Sequence, residues 1–77
     1  MGNYNKHTIS EIEEGDLVYF DDSPGNSNYD EYWEVIAKDD ATGEVEIHLY
    51  YLFEDHYRTI RSSEIRQRLP FRNLKRA

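Results

Sequence analysis

One short segment constrains the fold of this chain more than any other. Residues 44–49 read Glu-Val-Glu-Ile-His-Leu, a strict alternation of polar and apolar side chains. Successive side chains of a β-strand point to opposite faces of a sheet, so this alternation predicts a strand that buries Val45, Ile47 and Leu49 on one face. The chain of 77 residues has room for one domain with a modest core.

Further segments extend the β pattern. They are short, rich in β-branched and aromatic residues, and separated by clusters of Asp, Asn, Gly, Pro and other polar residues. Strands are predicted at residues 16–20, 32–38, 44–53 and 57–60, and in a short stretch after residue 66. Loops or turns are predicted at residues 21–30, 39–43, 54–56 and 62–66. Ser10 and Glu13 have the spacing of a capping box for one helical turn.

These segments predict an all-β fold. We expect a small five-stranded barrel, in which closure of the sheet removes its edges, with short 3-10 or helical turns. Pro70 has no N–H to donate, so the last strand cannot lie in the centre of a sheet. The predicted organisation is a flexible N-terminal segment at residues 1–9, the barrel at residues 10–71 and a basic C-terminal tail at residues 72–77.

Charge is distributed unevenly along the chain. Residues 1–60 carry three basic and fifteen acidic side chains, and residues 61–77 carry six basic side chains and one acidic one, giving −12, +5 and a net charge of −7. An acidic body repels phosphate backbones and attracts basic partners. The tail has three open interpretations: it is solvated, it folds back on the body, or it contacts a nucleic acid.

The sequence does not supply a catalytic or metal site. The chain has no cysteine, its four glycines are scattered, and no nucleophile elbow accompanies Ser, Thr or His. Four candidate metal ligands lack a spacing that fixes a geometry. They are His48, Glu54, Asp55 and His56. We expect a protein that is not an enzyme and uses no metal or cofactor. Without cysteine, signal peptide or long apolar run, it is expected to be intracellular, nuclear or cytoplasmic.

Aromatic residues are the most informative feature for function. Nine of them fall in or beside the predicted strands, more than a core of this size can hold. They are Tyr19, Phe20, Tyr29, Tyr32, Trp33, Tyr50, Tyr51, Phe53 and Tyr57. Exposed rings near acidic residues can bind an ammonium or methylated ammonium group through cation–π contacts. The alternative is that the rings only line the core and cover its ends.

Several strands also carry a family-like pattern. Residues 15–18 read Gly-Asp-Leu-Val, residues 32–39 read Tyr-Trp-Glu-Val-Ile-Ala-Lys-Asp, and residues 44–50 alternate up to a terminal Tyr. Residues 64–66 read Glu-Ile-Arg and precede Pro70. Over about residues 15–71 this pattern resembles the Tudor and Agenet modules of the Royal superfamily.

The resemblance implies an SH3-like five-stranded barrel that recognises methylated lysine or arginine on basic protein tails. Carried over by position, it implies an aromatic cage with one acidic member around the ends of the first three strands. The implied ligand-binding residues are Tyr19, Tyr32, Trp33, Tyr51, Phe53 and Asp55.

Two functions remain open at this point. The first is a non-catalytic module that binds a basic protein or peptide segment, methylated or unmodified, through aromatic residues with acidic neighbours. The second is an acidic interaction or inhibitor protein that mimics nucleic acid and occupies a basic groove on a partner. Nucleic acid binding is expected only through the basic tail, and no membrane binding is expected. The protein is expected to be a monomer or a weak dimer, since an uncovered edge strand can pair.

Overall fold

Five β-strands form the framework of the protein in the computed structural model, which describes residues 8–70. The strands are β1 (Leu17–Phe20), β2 (Trp33–Asp39), β3 (Glu44–Tyr51), β4 (Glu54–Arg61) and β5 (Ile65–Leu69). All neighbours pair antiparallel, in the order β4-β3-β2-β1-β5. The all-β prediction is confirmed, and β5 lies at an edge, before Pro70. The sheet is not closed among these residues, because no ladder joins β4 to β5.

Two 3-10 turns complete the secondary structure of residues 8–70. They are Ile9–Glu11, which comes before β1, and Ser62–Glu64, which connects β4 to β5. The first turn follows Thr8 without a side-chain cap, so the capping box predicted for Ser10 and Glu13 is not formed. The predicted tail at residues 72–77, and most of the predicted segment at residues 1–9, lie outside the described residues.

The β3–β4 hairpin is tighter than the sequence predicts. Tyr51 pairs with Glu54, which leaves Leu52 and Phe53 as a two-residue turn with φ angles of 54° and 67°. The prediction of a turn at residues 54–56 was wrong, because these polar residues belong to β4 and pair with the last three residues of β3. A two-residue hairpin turn with positive φ at both positions is most often formed by Asn-Gly. Large apolar residues such as Leu and Phe do not indicate such a turn in a sequence.

The hydrophobic core lies on one face of the sheet. Alternate residues are buried in β1 and in parts of β2 and β3, as the strict pattern of β3 predicted for Val45 and Ile47, while β4 and β5 each bury one residue. Leu49 packs against this core and is partly buried. Ile12, from the segment before β1, covers the core from outside the sheet. The fully buried apolar residues are Ile12, Val18, Phe20, Trp33, Val35, Val45, Ile47, Ile60 and Ile65.

The long loop between β1 and β2 is organised by the buried side chain of Asn28. Its amide nitrogen donates to the carbonyl oxygen of Phe20, and its Oδ1 accepts from the backbone N–H of Asp30 at 2.6 Å. Its backbone N–H donates to Asp22 Oδ1 at 2.6 Å, and its carbonyl oxygen accepts from Trp33 Nε1 at 2.9 Å. Because every polar group of a buried amide needs a partner, these bonds fix the course of the loop.

A buried carboxylate connects the start of β1 to the last strand. Asp16 is fully buried, and its Oδ2 accepts from Arg68 Nη1 at 3.0 Å and from the backbone N–H of Glu13 at 2.9 Å. A second arginine on β5, Arg66, pairs with Asp21 at 2.6 Å, but both of those side chains are about half exposed. The two pairs therefore differ mainly in burial.

Replacing Arg68 with Met should destabilise the protein by about 3 kcal/mol, because it removes the cation that faces a buried carboxylate. Arg66→Met is the matched control and should cost less than about 1 kcal/mol, as expected for an exposed pair. Urea unfolding followed by the fluorescence of Trp33 measures both. Equal losses for the two variants would contradict the importance of burial.

Replacing Leu52 and Phe53 with Asn and Gly should raise the free energy of unfolding by about 1–2 kcal/mol, because these residues adopt positive φ with little strain. The control variant Leu52→Ala/Phe53→Ala removes the same apolar side chains but keeps the strain, and it should gain much less. A comparable gain in both variants would show that backbone strain at the turn is negligible.

Candidate functional site

The face of the sheet opposite the core carries a row of polar and aromatic side chains, which we call the outer face. Strand register places Tyr19 beside Gln67, Leu17 between Leu69 and Glu34, and Glu34 beside His48. His48 in turn pairs with Tyr57 on β4, with ring centroids 5.0 Å apart. The outer face consists of Leu17, Tyr19, Tyr32, Glu34, His48, Tyr57, Gln67 and Leu69.

Tyr19 and Tyr32 form an aromatic pair at one end of the outer face. Their ring centroids are 5.7 Å apart and the rings are tilted by 50°. The Tyr19 hydroxyl donates to Asp30 Oδ1 at 2.7 Å, and the Tyr32 hydroxyl donates to Gln67 Oε1. Both hydroxyls are therefore engaged within the protein. The partly exposed rings remain as the groups that can contact a ligand.

The electrostatics of this pair are set by the neighbouring loop. The hydrogen bond to Asp30 raises the pKa of Tyr19 above its ordinary value, because the carboxylate stabilises the protonated hydroxyl. Asp22 and Asp30 are exposed and both act on Tyr19, Glu31 is exposed next to Tyr32 in the chain, and Glu34 is exposed on the next row. Asp30 takes a positive φ of 57°, which places its side chain beside Tyr19 rather than along the loop.

The cations of the described residues are largely held by the protein itself. Residues 8–70 contain sixteen acidic and five basic side chains, a formal charge of −11. Arg66 and Arg68 are in the pairs described above, and Lys38 contacts Asp40 at 3.6 Å. The exposed surface of this part of the chain is accordingly acidic.

A second aromatic group, the aromatic cluster, lies on the core side of the sheet, under the β1–β2 loop. Tyr29 stacks between Trp33 and Tyr51, with centroid distances of 6.1 and 4.9 Å, and it meets the edge of His56 at 5.1 Å. The cluster consists of Tyr29, Trp33, Tyr51 and His56. Stacked and edge-on rings at these distances are favourable contacts.

The cluster already holds a cation of the same chain. The guanidinium carbon of Arg58 lies 5.7 Å from the Tyr29 centroid and 5.4 Å from the Trp33 centroid. Its Nη2 approaches the carbonyl oxygen of Ser27 at 3.4 Å, and its buried Nε has no hydrogen-bond partner. Cation–π attraction therefore holds Arg58 in the position that a ligand cation would take.

The six residues implied by the family resemblance lie in three places. Tyr19 and Tyr32 meet on the outer face, while the fully buried Trp33 and the partly buried Tyr51 are joined through Tyr29 in the aromatic cluster. Phe53 is 88% exposed at the hairpin turn. Asp55 Oδ1 lies 2.7 Å from His48 Nε2, on the outer side of the same hairpin.

Sequence reasoning missed three residues that shape these places. Asn28 directs the loop, Arg58 fills the aromatic cluster, and Gln67 holds the Tyr32 hydroxyl. Asn28 sits in a run of loop-forming residues, which gives no sign that it is buried. The alternation of β4 places Arg58 on the same face as Ile60, and this was the one signal that could have indicated an inward arginine.

A shallow groove of about 230 Å³ lies further along β2, β3 and β4. It is lined by Ala37, Lys38, Asp39, Glu44, Glu46 and Thr59. Three of these are carboxylates, so the groove extends the acidic character of the sheet surface. Within residues 8–70, no group of three or more His, Cys, Asp or Glu side chains is arranged to hold a metal ion.

No protein-family model, curated protein or solved structure matches this chain. Between residues 8 and 70 the only helical segments are single 3-10 turns, and none is long and apolar enough to cross a membrane.

Replacing Asp30 with Asn should lower the pKa of Tyr19 towards that of a free tyrosine, because the neutral amide no longer favours the protonated hydroxyl. Since the folded-state pKa is raised, this bond contributes stability below about pH 10 and loses it as the pH rises through that pKa. The ring ¹³Cζ shifts of labelled tyrosine report each hydroxyl separately. Tyr50 and Tyr57 should not respond, and an unchanged Tyr19 titration would contradict the assignment.

Proposed function

We propose that the protein is a non-catalytic binding module that recognises a basic protein segment on its outer face. The observation that carries this proposal is the Tyr19–Tyr32 pair, whose rings are partly exposed beside the carboxylates of Asp22 and Asp30. An aromatic surface bordered by negative charge suits a Lys or Arg side chain in unmodified or methylated form.

The pair is suited to binding because its geometry is fixed before a ligand arrives. Asp30 and Gln67 hold the two hydroxyls, so the rings lose little conformational freedom on binding. The acidic charge of the surrounding surface accelerates the encounter with a basic segment and weakens as salt is added. The aromatic cluster is less suited to the same role, because Arg58 occupies it.

We place the fold in the SH3-like class as part of the same proposal. Five short antiparallel strands around a single core support this, although the sheet is open between β4 and β5. Relationship to the Tudor and Agenet modules rests on the sequence pattern of residues 15–71. The proposal of a methylated ligand rests on that relationship, whereas the basic character of the ligand rests on the outer face.

A second candidate function is supported by the wider distribution of charge. The formal charge of −11 over residues 8–70 and the groove beside Asp39, Glu44 and Glu46 fit an acidic protein that occupies a basic groove of a partner. Binding of that kind would draw on charge across the whole sheet. The two functions therefore differ in whether one carboxylate near the aromatic pair matters more than a distant one.

Titration of ¹⁵N- and tyrosine-¹³C-labelled protein with short Lys- and Arg-rich peptides tests the proposal. Unmodified, trimethyl-lysine and dimethyl-arginine forms are compared at low and high salt. We expect selective shifts at Tyr19, Tyr32 and Asp30. Tyr19→Leu should weaken binding by about three- to thirty-fold through loss of cation–π contacts, whereas Tyr50→Leu, at an exposed tyrosine elsewhere, should not.

The charge requirement is tested by a matched pair of neutralising variants. Asp30→Asn should weaken binding by about two- to five-fold, while Asp40→Asn, at the β2–β3 turn, should leave it nearly unchanged. Asn tolerates the positive φ of Asp30, so the loop is retained. Equal losses in both variants would favour the acidic inhibitor, and peptides that shift no tyrosine would contradict the outer-face site.

A further inference from the structure

β4 is an eight-residue strand at one end of the sheet. Its outer edge has no neighbouring strand among the described residues. Within residues 8–70 this edge receives no backbone hydrogen bond from a loop and one side-chain bond, from the N–H of Arg61 to Glu64. Unpaired N–H and C=O groups in a row are a template for pairing with another strand. Native edges are usually short or interrupted, and this one carries neither a proline nor a bulge.

The hairpin register determines which backbone groups face the open edge. Residues that flank a two-residue turn hydrogen bond to each other, and the pattern then alternates along an antiparallel ladder. Since Tyr51 pairs with Glu54, the even-numbered residues of β4 bond to β3. The odd-numbered residues therefore direct their N–H and C=O groups outward, and of these the N–H of Arg61 already donates to Glu64 Oε2 at 3.1 Å. They are Asp55, Tyr57, Thr59 and Arg61.

The charges of β4 run from acidic to basic along the strand. Glu54 and Asp55 stand at its start, and Arg61 stands at its end. An antiparallel pairing of two such strands brings the acidic end of each beside the basic end of the other. β4 is therefore complementary in charge to a second copy of itself, and not to a uniformly acidic or basic strand.

We propose that this edge is a dimer interface, in which β4 pairs antiparallel with β4 of a second copy around a two-fold axis. The sheets join into one of ten strands, with their outer faces on the same side. In this register Asp55 pairs with Arg61 of the partner subunit, and Tyr57 pairs with Thr59 of the partner subunit. Symmetry supplies each contact twice.

Three of the six exposed large apolar side chains of residues 8–70, including the two most exposed, lie at this interface. Leu52, Phe53 and Tyr57 are 73%, 88% and 58% exposed, and all three lie at the turn or on β4. In the proposed register the hairpin turn reaches past the end of the paired strand, so Phe53 lies beside Ser63 of the partner subunit. Burial of these side chains adds a hydrophobic contribution to the ladder.

Arg58 is the residue that the two-fold axis places opposite its own copy. Its guanidinium already lies against Tyr29 and Trp33 of its own subunit, on the core side of the sheet. The like charges are thereby turned towards the rings and not towards each other. The contact area of two eight-residue edges falls at the small end of protein interfaces, below about 1,200 Å², so the dimer is expected to be weak.

Sedimentation velocity of the full chain from about 10 µM to 1 mM tests the association directly. We expect a monomer–dimer equilibrium within this range. Hydrogen exchange provides a residue-specific readout, because the amides of Tyr57 and Thr59 should become more protected as concentration rises, while those of β5 should not. A chain that stays monomeric to the highest concentration, with unchanged exchange at these two amides, overturns the proposal.

Charge reversal provides the decisive test. Asp55→Arg and Arg61→Asp should each weaken dimerisation about ten-fold or more, because each places like charges at both symmetric positions. An equimolar mixture of the two variants should recover association, since every pair in the mixed dimer is again Asp with Arg. Asp40→Arg, the same charge change at the β2–β3 turn, should leave the dimer intact.

Circular dichroism establishes that each variant is folded before its association is measured. Should Asp55→Arg unfold through loss of its contact with His48, the milder pair Asp55→Asn and Arg61→Gln should each weaken association. Mixing these two variants should recover part of it, since the mixed dimer regains one of the two Asp–Arg pairs. Failure of the charge-reversed mixture to associate, with both variants folded, overturns the proposed register. The outcome is independent of peptide binding at Tyr19 and Tyr32, which lie on β1 and beside β2.

Discussion

The site depends on one buried amide, the side chain of Asn28. A loop of twelve residues between β1 and β2 has few backbone bonds, chiefly those of Asp21 to Glu64 and of Ser23 to Asn26, so the rest of its course depends on side-chain bonds and packing. Asn28 bonds to Phe20 at the end of β1 and to Trp33 at the start of β2. It thereby sets the two residues that follow it, which have positive φ: Tyr29 turns inward onto Trp33, and Asp30 turns outward to Tyr19. One buried polar residue thus links the core to the proposed binding surface.

Two arginines are bound within the fold, which explains why the surface of the folded protein is acidic. Arg68 compensates the buried Asp16, and Arg58 fills the aromatic cluster. Both cations are used within the structure, where a guanidinium binds carboxylates and ring faces better than an ammonium does. The carboxylates around Tyr19 and Tyr32 are left without a comparable supply of nearby cations, except Arg66. A basic partner would therefore supply the positive charge that these surface carboxylates lack.

The sequence predicts the strands and the core better than it predicts the site. Period-two alternation identifies Val45 and Ile47 because burial of one sheet face acts on every second residue. The pairing of Tyr19 with Tyr32 follows from strand neighbourhood, which places two outward rings side by side. What cannot be read from the pattern is the loop conformation at Asn28, since burial of an amide depends on contacts distant in sequence. The inward arginine was obscured for a similar reason, because its partners come from a loop almost thirty residues earlier.

The hairpin turn decides what each residue of β4 can do. A two-residue connection at Leu52 and Phe53 places Arg58 on the core side and Asp55 on the outer side. Because strand side chains alternate, a shift of register by one residue would exchange these faces, removing Arg58 from the aromatic cluster. The positive φ angles at the turn cost on the order of 1 kcal/mol each for residues other than glycine. That cost is tolerated because the turn fixes the register of the β3–β4 hairpin. In this register Arg58 reaches the aromatic cluster on the core side. The open edge of β4 then carries acidic and basic ends that are complementary to those of a second copy.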